Sequence, residues 1–215
     1  MAKEQVSKRT QNALKAIEDA VFALLGEKEF EAVTAQEIYR KAGVNKMTFY
    51  KYHNNKYDAL AKAFTSRINR EYNTAVAKYL SIHETYDLDE ANYQALLFVA
   101  DFFERYRVQF SHLASPSGDL PKDVVFSALF SNYRRFFSDM IGKEICEENE
   151  YLVHFVFGAY RSLYECQMQK LAKDPSDPAP RQDIKKACRV IAKAFSLLQT
   201  ALPNAEETPT ANSAS

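Results

Sequence analysis

The sequence predicts an all-α chain: a small N-terminal three-helix unit containing a helix-turn-helix, then a larger C-terminal helical body. Three observations carry this. Only 5 Gly occur in 215 residues, too few for a chain of tight β-turns. Ala, Lys, Glu and Leu fill long segments, as they do in helices. Apolar residues recur at three- and four-residue steps, the helical period. The length suits one domain or two small ones and is enough to bury a substantial core.

From Ser7 to Leu25, the residues Leu14, Ile17, Val21, Leu24 and Leu25 form one apolar face, and Gly26 supplies the stop. EKEFEAV is a short connection anchored by Phe30 and Val33. Thr34 opens a second helix, because TAQE is a capping box in which Thr34 and Glu37 satisfy each other's free amides. Gly43 ends it. Asn45 is a good N-cap for a third helix. Asn54 and Asn55 break that helix and cap a fourth, Lys56 to Leu80. Longer helices are expected over 89–110, 121–141, 147–172 and 183–202, with SPSGDLP and KDPSDPAPRQD as loops. The tail 203–215, PNAEETPTANSAS, has no apolar periodicity and is expected to be disordered.

Lys and Arg balance Asp and Glu at 28 each. That argues against a uniformly basic nucleic-acid binder, yet the charge is unevenly spread. Residues 1–56 hold ten basic and seven acidic residues, leaving 18 and 21 for the rest. Between Ile38 and Lys56 stand Arg40, Lys41, Lys46, Lys51 and Lys56 with no acid among them. This local excess is the informative signal. Cys146, Cys166 and Cys188 are widely spaced, which suggests neither a zinc set nor a disulfide framework. Reduced thiols, a cytoplasmic location, and no metal or cofactor are expected. The start MAKEQVSKRT lacks the apolar run of a signal peptide, and no stretch is long and apolar enough to span a bilayer. No catalytic motif stands out, so the chain is not expected to be an enzyme.

On a helical wheel the third helix divides cleanly. Asn45, Thr48, Phe49 and Tyr52 share one side; Lys46, Met47, Tyr50 and Lys51 share the other. Phe49 is expected to enter a small core with Leu14, Ile17, Val21 and Ile38. The outer face suits DNA: Lys46 can donate to guanine O6 and N7, and Met47 can pack on a thymine methyl. Tyr50, Lys51, Lys56 and the first amides of the fourth helix suit phosphates. A helical hairpin with a merely solvated basic face is the competing reading. It corresponds to a ligand- or protein-binding module without specific DNA binding.

The run TAQEIYRKAGVNKMTFYKYHNNKYDAL resembles the DNA-binding motif of the TetR/AcrR family of bacterial transcriptional regulators. The resemblance rests on Ala42-Gly43-Val44, Asn45, Thr48, Phe49, Tyr50, Tyr52 and Lys56, and is specific from Thr10 to Leu60. It implies a helix-turn-helix DNA-binding domain over 1–56 and a ligand-binding and dimerisation domain over 57–202. It implies a homodimeric repressor, released from a palindromic operator by an effector. Base-facing positions fall on Lys46, Met47 and Thr48. Phosphate contacts fall on Thr34, Tyr50, Lys51, Tyr52 and Lys56, with Ala35 and Gln36 beside them. His53 departs from the pattern, standing where the family usually has Phe.

The C-terminal body is rich in aromatic residues, which serve either as core or as the lining of an apolar pocket. Phe102, Tyr106, Phe130, Tyr133, Phe137, His154 and Arg161 are the candidate pocket residues. The last helix carries a stripe that includes Ile184, Cys188, Ile191, Phe195 and Leu198, and Gly158 lies inside the helix before it. The family dimerises through its last two helices, so these six positions are the expected dimer interface.

Overall fold

The computed structural model describes residues 8–82, 88–113, 120–141, 147–173 and 180–201. Every regular element among them is helical: α1 (Lys8–Leu25), a 3-10 turn (Phe30–Ala32), α2 (Ala35–Lys41), α3 (Lys46–Tyr52), α4 (Lys56–Ile82), α5 (Leu88–Arg105), α6 (Arg107–Ser111), α7 (Leu120–Ile141), α8 (Glu147–Lys173) and α9 (Pro180–Ala201). No helix among the described residues is long and apolar enough to cross a membrane. The tail expected over 203–215 lies outside the described residues.

α1, α2 and α3 gather round the first turns of α4 because their apolar faces converge there. Ile17, Val21, Leu25, Ile38, Phe49 and Leu60 are each at most 1% exposed. This core runs without a break into the body through stacked aromatic rings. Phe22 meets Phe64 at 4.7 Å, Phe64 meets Phe110 at 5.0 Å, and Phe110 meets Phe103 at 4.8 Å between centroids. Such edge and tilted pairs add to the area they bury.

Two elements differ from expectation. The helix predicted over 89–110 is broken at Tyr106, which takes a non-helical φ of −103° and ψ of 23°. Tyr106 is held from two sides: its hydroxyl donates to Glu71 Oε1 at 2.5 Å and its ring packs edge-on to Phe22. The bend turns Phe110 into the core. It also lets the end of α6 meet α1, where His112 Nδ1 bonds the Leu25 carbonyl at 2.6 Å and the His112 carbonyl accepts from Phe30 N–H at 2.9 Å. α9 begins at Pro180, earlier than the predicted 183. Proline suits a first helical position, where its missing N–H has no partner to lose.

α9 lies along α5. Cys188 and Ala192 close on Leu96, with Ile184, Ile191 and Tyr93 at the margin. Inside this seam Asn92 Nδ2 donates to Ser196 Oγ at 3.1 Å, and the Arg189 guanidinium stacks 3.4 Å from the Tyr93 ring. Burial pushes the Cys188 thiol up to about 11.

Candidate nucleic-acid interface

Local chemistry sets α2 and α3. Thr34 accepts from Glu37 N–H through Oγ1, while Glu37 Oε2 accepts from Thr34 N–H at 2.9 Å, closing the capping box. Lys28 Nζ donates to the other Glu37 oxygen at 2.6 Å; that bond, with those from Thr34, holds the carboxyl down to about 2. Gly43 ends α2 with φ of +66°, a region natural only to glycine. Gly43 N–H bonds Arg40 O and Val44 N–H bonds Tyr39 O, so the last carbonyls of α2 are satisfied within the turn. Asn45 Oδ1 then accepts from Thr48 N–H at 2.7 Å and starts α3.

This turn aims α3 as the wheel predicts. Phe49 is fully buried, Thr48 and Tyr52 are half-buried, and Lys46, Met47, Tyr50 and Lys51 are exposed. Met47 is 84% exposed, an unusual position for a long apolar side chain. Asn45 and Gln36 are also exposed, and Ala35 is half-buried at the start of α2. The outward strip therefore offers two ammonium groups, a thioether and a phenol, with no carboxylate on α3.

Three predicted contacts carry other duties. The Thr34 hydroxyl donates to Glu37 Oε2 at 2.9 Å, so its proton is already used in the cap. The Tyr52 hydroxyl bonds Thr10 Oγ1 at 3.2 Å and fastens α3 to α1. Lys56 departs furthest from expectation. Its ammonium turns back to the carbonyls of Phe30, Glu31 and Val33 at 3.2, 3.1 and 3.0 Å and to Glu31 Oε2 at 3.4 Å. An ammonium has three protons, and these acceptors take them. Lys56 holds the 3-10 turn to α4 and has no spare donor for a phosphate.

His53 follows α3 in extended conformation and is 4% exposed. Its ring packs on Phe49 at 5.3 Å, the packing duty expected of an aromatic there. Neither ring nitrogen has a hydrogen-bond partner. Burial, and then the Lys62 charge, push the imidazole below its ordinary range against the opposing pull of Asp58.

Sequence reasoning missed one feature of this region. Glu18 of α1 is buried, yet charged, beneath α4. Ser66 Oγ and Arg67 Nε donate to it at 2.9 Å each, and Arg70 Nη2 at 2.5 Å. Burial raises its pKa, but the bonds from Arg70, Arg67 and Ser66 outweigh that and leave it lowered. Arg67 also lies over the Phe22 ring at 4.0 Å and donates to Asp19. The basic residues on one face of α4 were readable; their partner, some fifty residues earlier, was not.

The predicted pocket residues fall into separate groups. Phe102 is buried against Phe98, Phe103, Tyr106 and Phe110, so it is core. Phe130 and Tyr133 pack on Phe157, and the exposed His154 stacks on Phe130 at 4.6 Å. Arg161 pairs with Asp123 and Glu165. The Phe137 side chain lies outside the described residues.

The predicted dimer stripe also divides. Cys188 is buried against α5 of its own chain, and Ile184 and Ile191 pack beside it while staying partly exposed. The stripe covers α5 because α5 has an apolar face of its own there. The Phe195 and Leu198 side chains lie outside the described residues. Gly158 does face outward, with nothing within 4 Å of where a Cβ would stand. Beside it on α8 are Tyr151 and Phe155, 81% and 65% exposed; on α9, Val190 and Leu197 are 70% and 65% exposed.

A short helix presented outward by a Gly turn, over a satisfied three-helix core, is a helix-turn-helix, the arrangement that sets its second helix in a DNA major groove. The family model of the bacterial regulatory proteins of the tetR family matches residues 17–63 of the chain. The whole fold matches solved structures at low identity. A TetR-family transcriptional regulator from Streptomyces coelicolor is 18% identical, with 88% of this chain and 99% of that one covered at a TM-score of 0.59. A putative TetR-family regulator from Syntrophomonas wolfei is 16% identical, covers 91% and 98%, and scores 0.54. The fatty acid degradation regulator FadR from Bacillus halodurans is 17% identical, covers 88% and 99%, and scores 0.53. No curated protein matches the sequence significantly.

Proposed function

We propose that the protein is a homodimeric DNA-binding repressor of a palindromic operator, with α1–α3 as the reading unit over 1–56 and the helices over 57–202 as the regulatory and dimerisation unit. The observation that carries the DNA reading is the outward strip of α3, in which Met47 stands 84% exposed between two lysines. Lys46 and Met47 read base edges, with Thr48 beside them. Tyr50, Lys51 and the free amides at the starts of α2 and α4 meet phosphates, with Gln36 and Ala35 at the edge. Tyr52 and Thr34 join them only by exchanging their present partners.

The outward apolar face of α8 and α9 supports the dimer. Tyr151 and Phe155, one turn apart on α8, and Val190 and Leu197, two turns apart on α9, are large apolar side chains left mostly exposed, as residues awaiting a partner are. Two such faces brought together about a two-fold axis would place two copies of α3 in successive major grooves, about 34–36 Å apart or a multiple of that. An effector then acts by binding better to the dimer whose α3 spacing does not fit the operator.

Fluorescence anisotropy on the DNA upstream of the protein's own gene tests this. Specific binding that weakens steeply with salt is expected. Lys46→Ala should cost about 1–3 kcal/mol on the specific site and little on random DNA. Equal, weak binding to every sequence would sink the proposal.

A further inference from the structure

We propose that the groove between α1 and α4 is the effector site, and that it takes a small organic acid with an apolar body and one carboxylate. The groove holds about 570 Å³, within the range of small-molecule sites. Its apolar lining comes from Leu14 and Ile17 on one side and Ala59 and Ala63 on the other. Ala128 of α7 also reaches it, so it touches the reading unit and the body at once.

Two observations specify the occupant. One is His53, which lines the groove while 4% exposed and has no partner for either ring nitrogen. The nearest carboxylate oxygen, on Asp58, stands 3.9 Å from Nδ1, beyond hydrogen-bond reach. A neutral imidazole always has one N–H to give, and a carboxylate is a strong acceptor for it. The other is charge. Of the three cations that line the groove, Arg70 is committed to Glu18 and Lys62 donates to Asp58 and to the Tyr52 carbonyl at 2.9 Å each, which leaves the Lys15 ammonium without an ion pair among the described residues. That unpaired ammonium, on an exposed residue, stands at the rim of an apolar floor. DNA phosphate does not fit such a floor; a flat or linear apolar acid does.

The position gives binding a consequence. His53 is the residue after α3, and its ring rests on Phe49, the inward anchor of α3. A ligand that draws the imidazole toward the groove loosens that contact and shifts the recognition helix without passing through the distant body. The effector role rests on the repressor reading above, whereas binding itself is read without DNA.

The test uses the full chain with 15N-labelled histidine and 2-naphthoate as probe, with 2-naphthylmethanol as the uncharged control. The His53 ring signals, identified by their loss in His53→Phe, should shift saturably with naphthoate while those of His112 and His154 hold still. The alcohol, and Lys15→Glu with the acid, should each bind about tenfold more weakly. Lys15 is exposed, so its substitution leaves the fold in place. A His53 that ignores naphthoate, or an affinity indifferent to both controls, overturns the site. If His53 responds and naphthoate leaves anisotropy on the upstream DNA unchanged, the effector role is overturned. Failure to bind that DNA at all counts against the repressor reading alone, because the histidine signals report the site independently.

Discussion

α3 and α9 are both amphipathic, and both apolar stripes are visible in the sequence, yet they reveal different amounts about their neighbours. In α3 the neighbours are fixed by close local chemistry: the Gly43 turn, the Asn45 cap and the Thr34–Glu37 box lie within a dozen residues. Only one orientation fits, so the buried side and the presented side follow together. In α9 the stripe of Ile184, Cys188 and Ile191 is equally clear, but its partner is α5, about ninety residues earlier. Periodicity shows which face of a helix is covered. It does not show what covers it.

Four outcomes break or sharpen that contrast, beginning with the largest. Phe49→Ala removes the anchor of α3 from a site with no exposure, and should cost about 3–5 kcal/mol of stability by urea denaturation. A loss under 1 kcal/mol would mean that α3 is held by its caps alone. Next comes Glu18→Gln. It leaves two guanidinium groups short of their partner and should cost about 3 kcal/mol, as breaking a buried pair does. The wild-type carboxyl is lowered from 4.5, so its contribution is whole above that pH and is lost as pH falls through the folded value. The variant should lose that part of the acid profile, measured by denaturation at pH 3–7.

The outward face of the last helices gives the third outcome. Phe155→Glu with Val190→Lys should yield a monomer in sedimentation, with the protomer still folded, and reduce operator affinity about 100-fold by loss of bivalency. A dimer that survives both changes would move the interface elsewhere. The smallest effect belongs to His53→Phe. Replacing an unpartnered buried imidazole by a ring of similar shape should add about 1 kcal/mol at pH 7. The imidazole lies below 6.5 in the folded chain, so wild-type stability is whole above 6.5 and falls as pH drops toward the folded value. That slope should vanish in the variant, and its persistence would assign it to another group.

Much of the reading unit was therefore legible, since its signals are local. Thr34, Glu37, Gly43, Asn45 and Phe49 each act within one or two helical turns. The rest depends on partners that only the fold brings near. Tyr106 breaks a helix because Glu71 and Phe22 hold it. Lys56 looks like a phosphate ligand until the carbonyls of the 3-10 turn are seen around it. Glu18 appears as an ordinary surface acid on a wheel, and only α4 shows it to be the bond between the two parts of the chain.

The Lys56 ammonium has a mechanical meaning as well. One cation ties three carbonyls, at 30, 31 and 33, to the first turn of a 27-residue helix. At about 1.5 Å per residue that helix is a rod some 40 Å long. The turn it grips leads directly into α2. Tilting the rod at its far end therefore carries the entry of α2 along, so α2 and α3 follow it as a rudder follows its post.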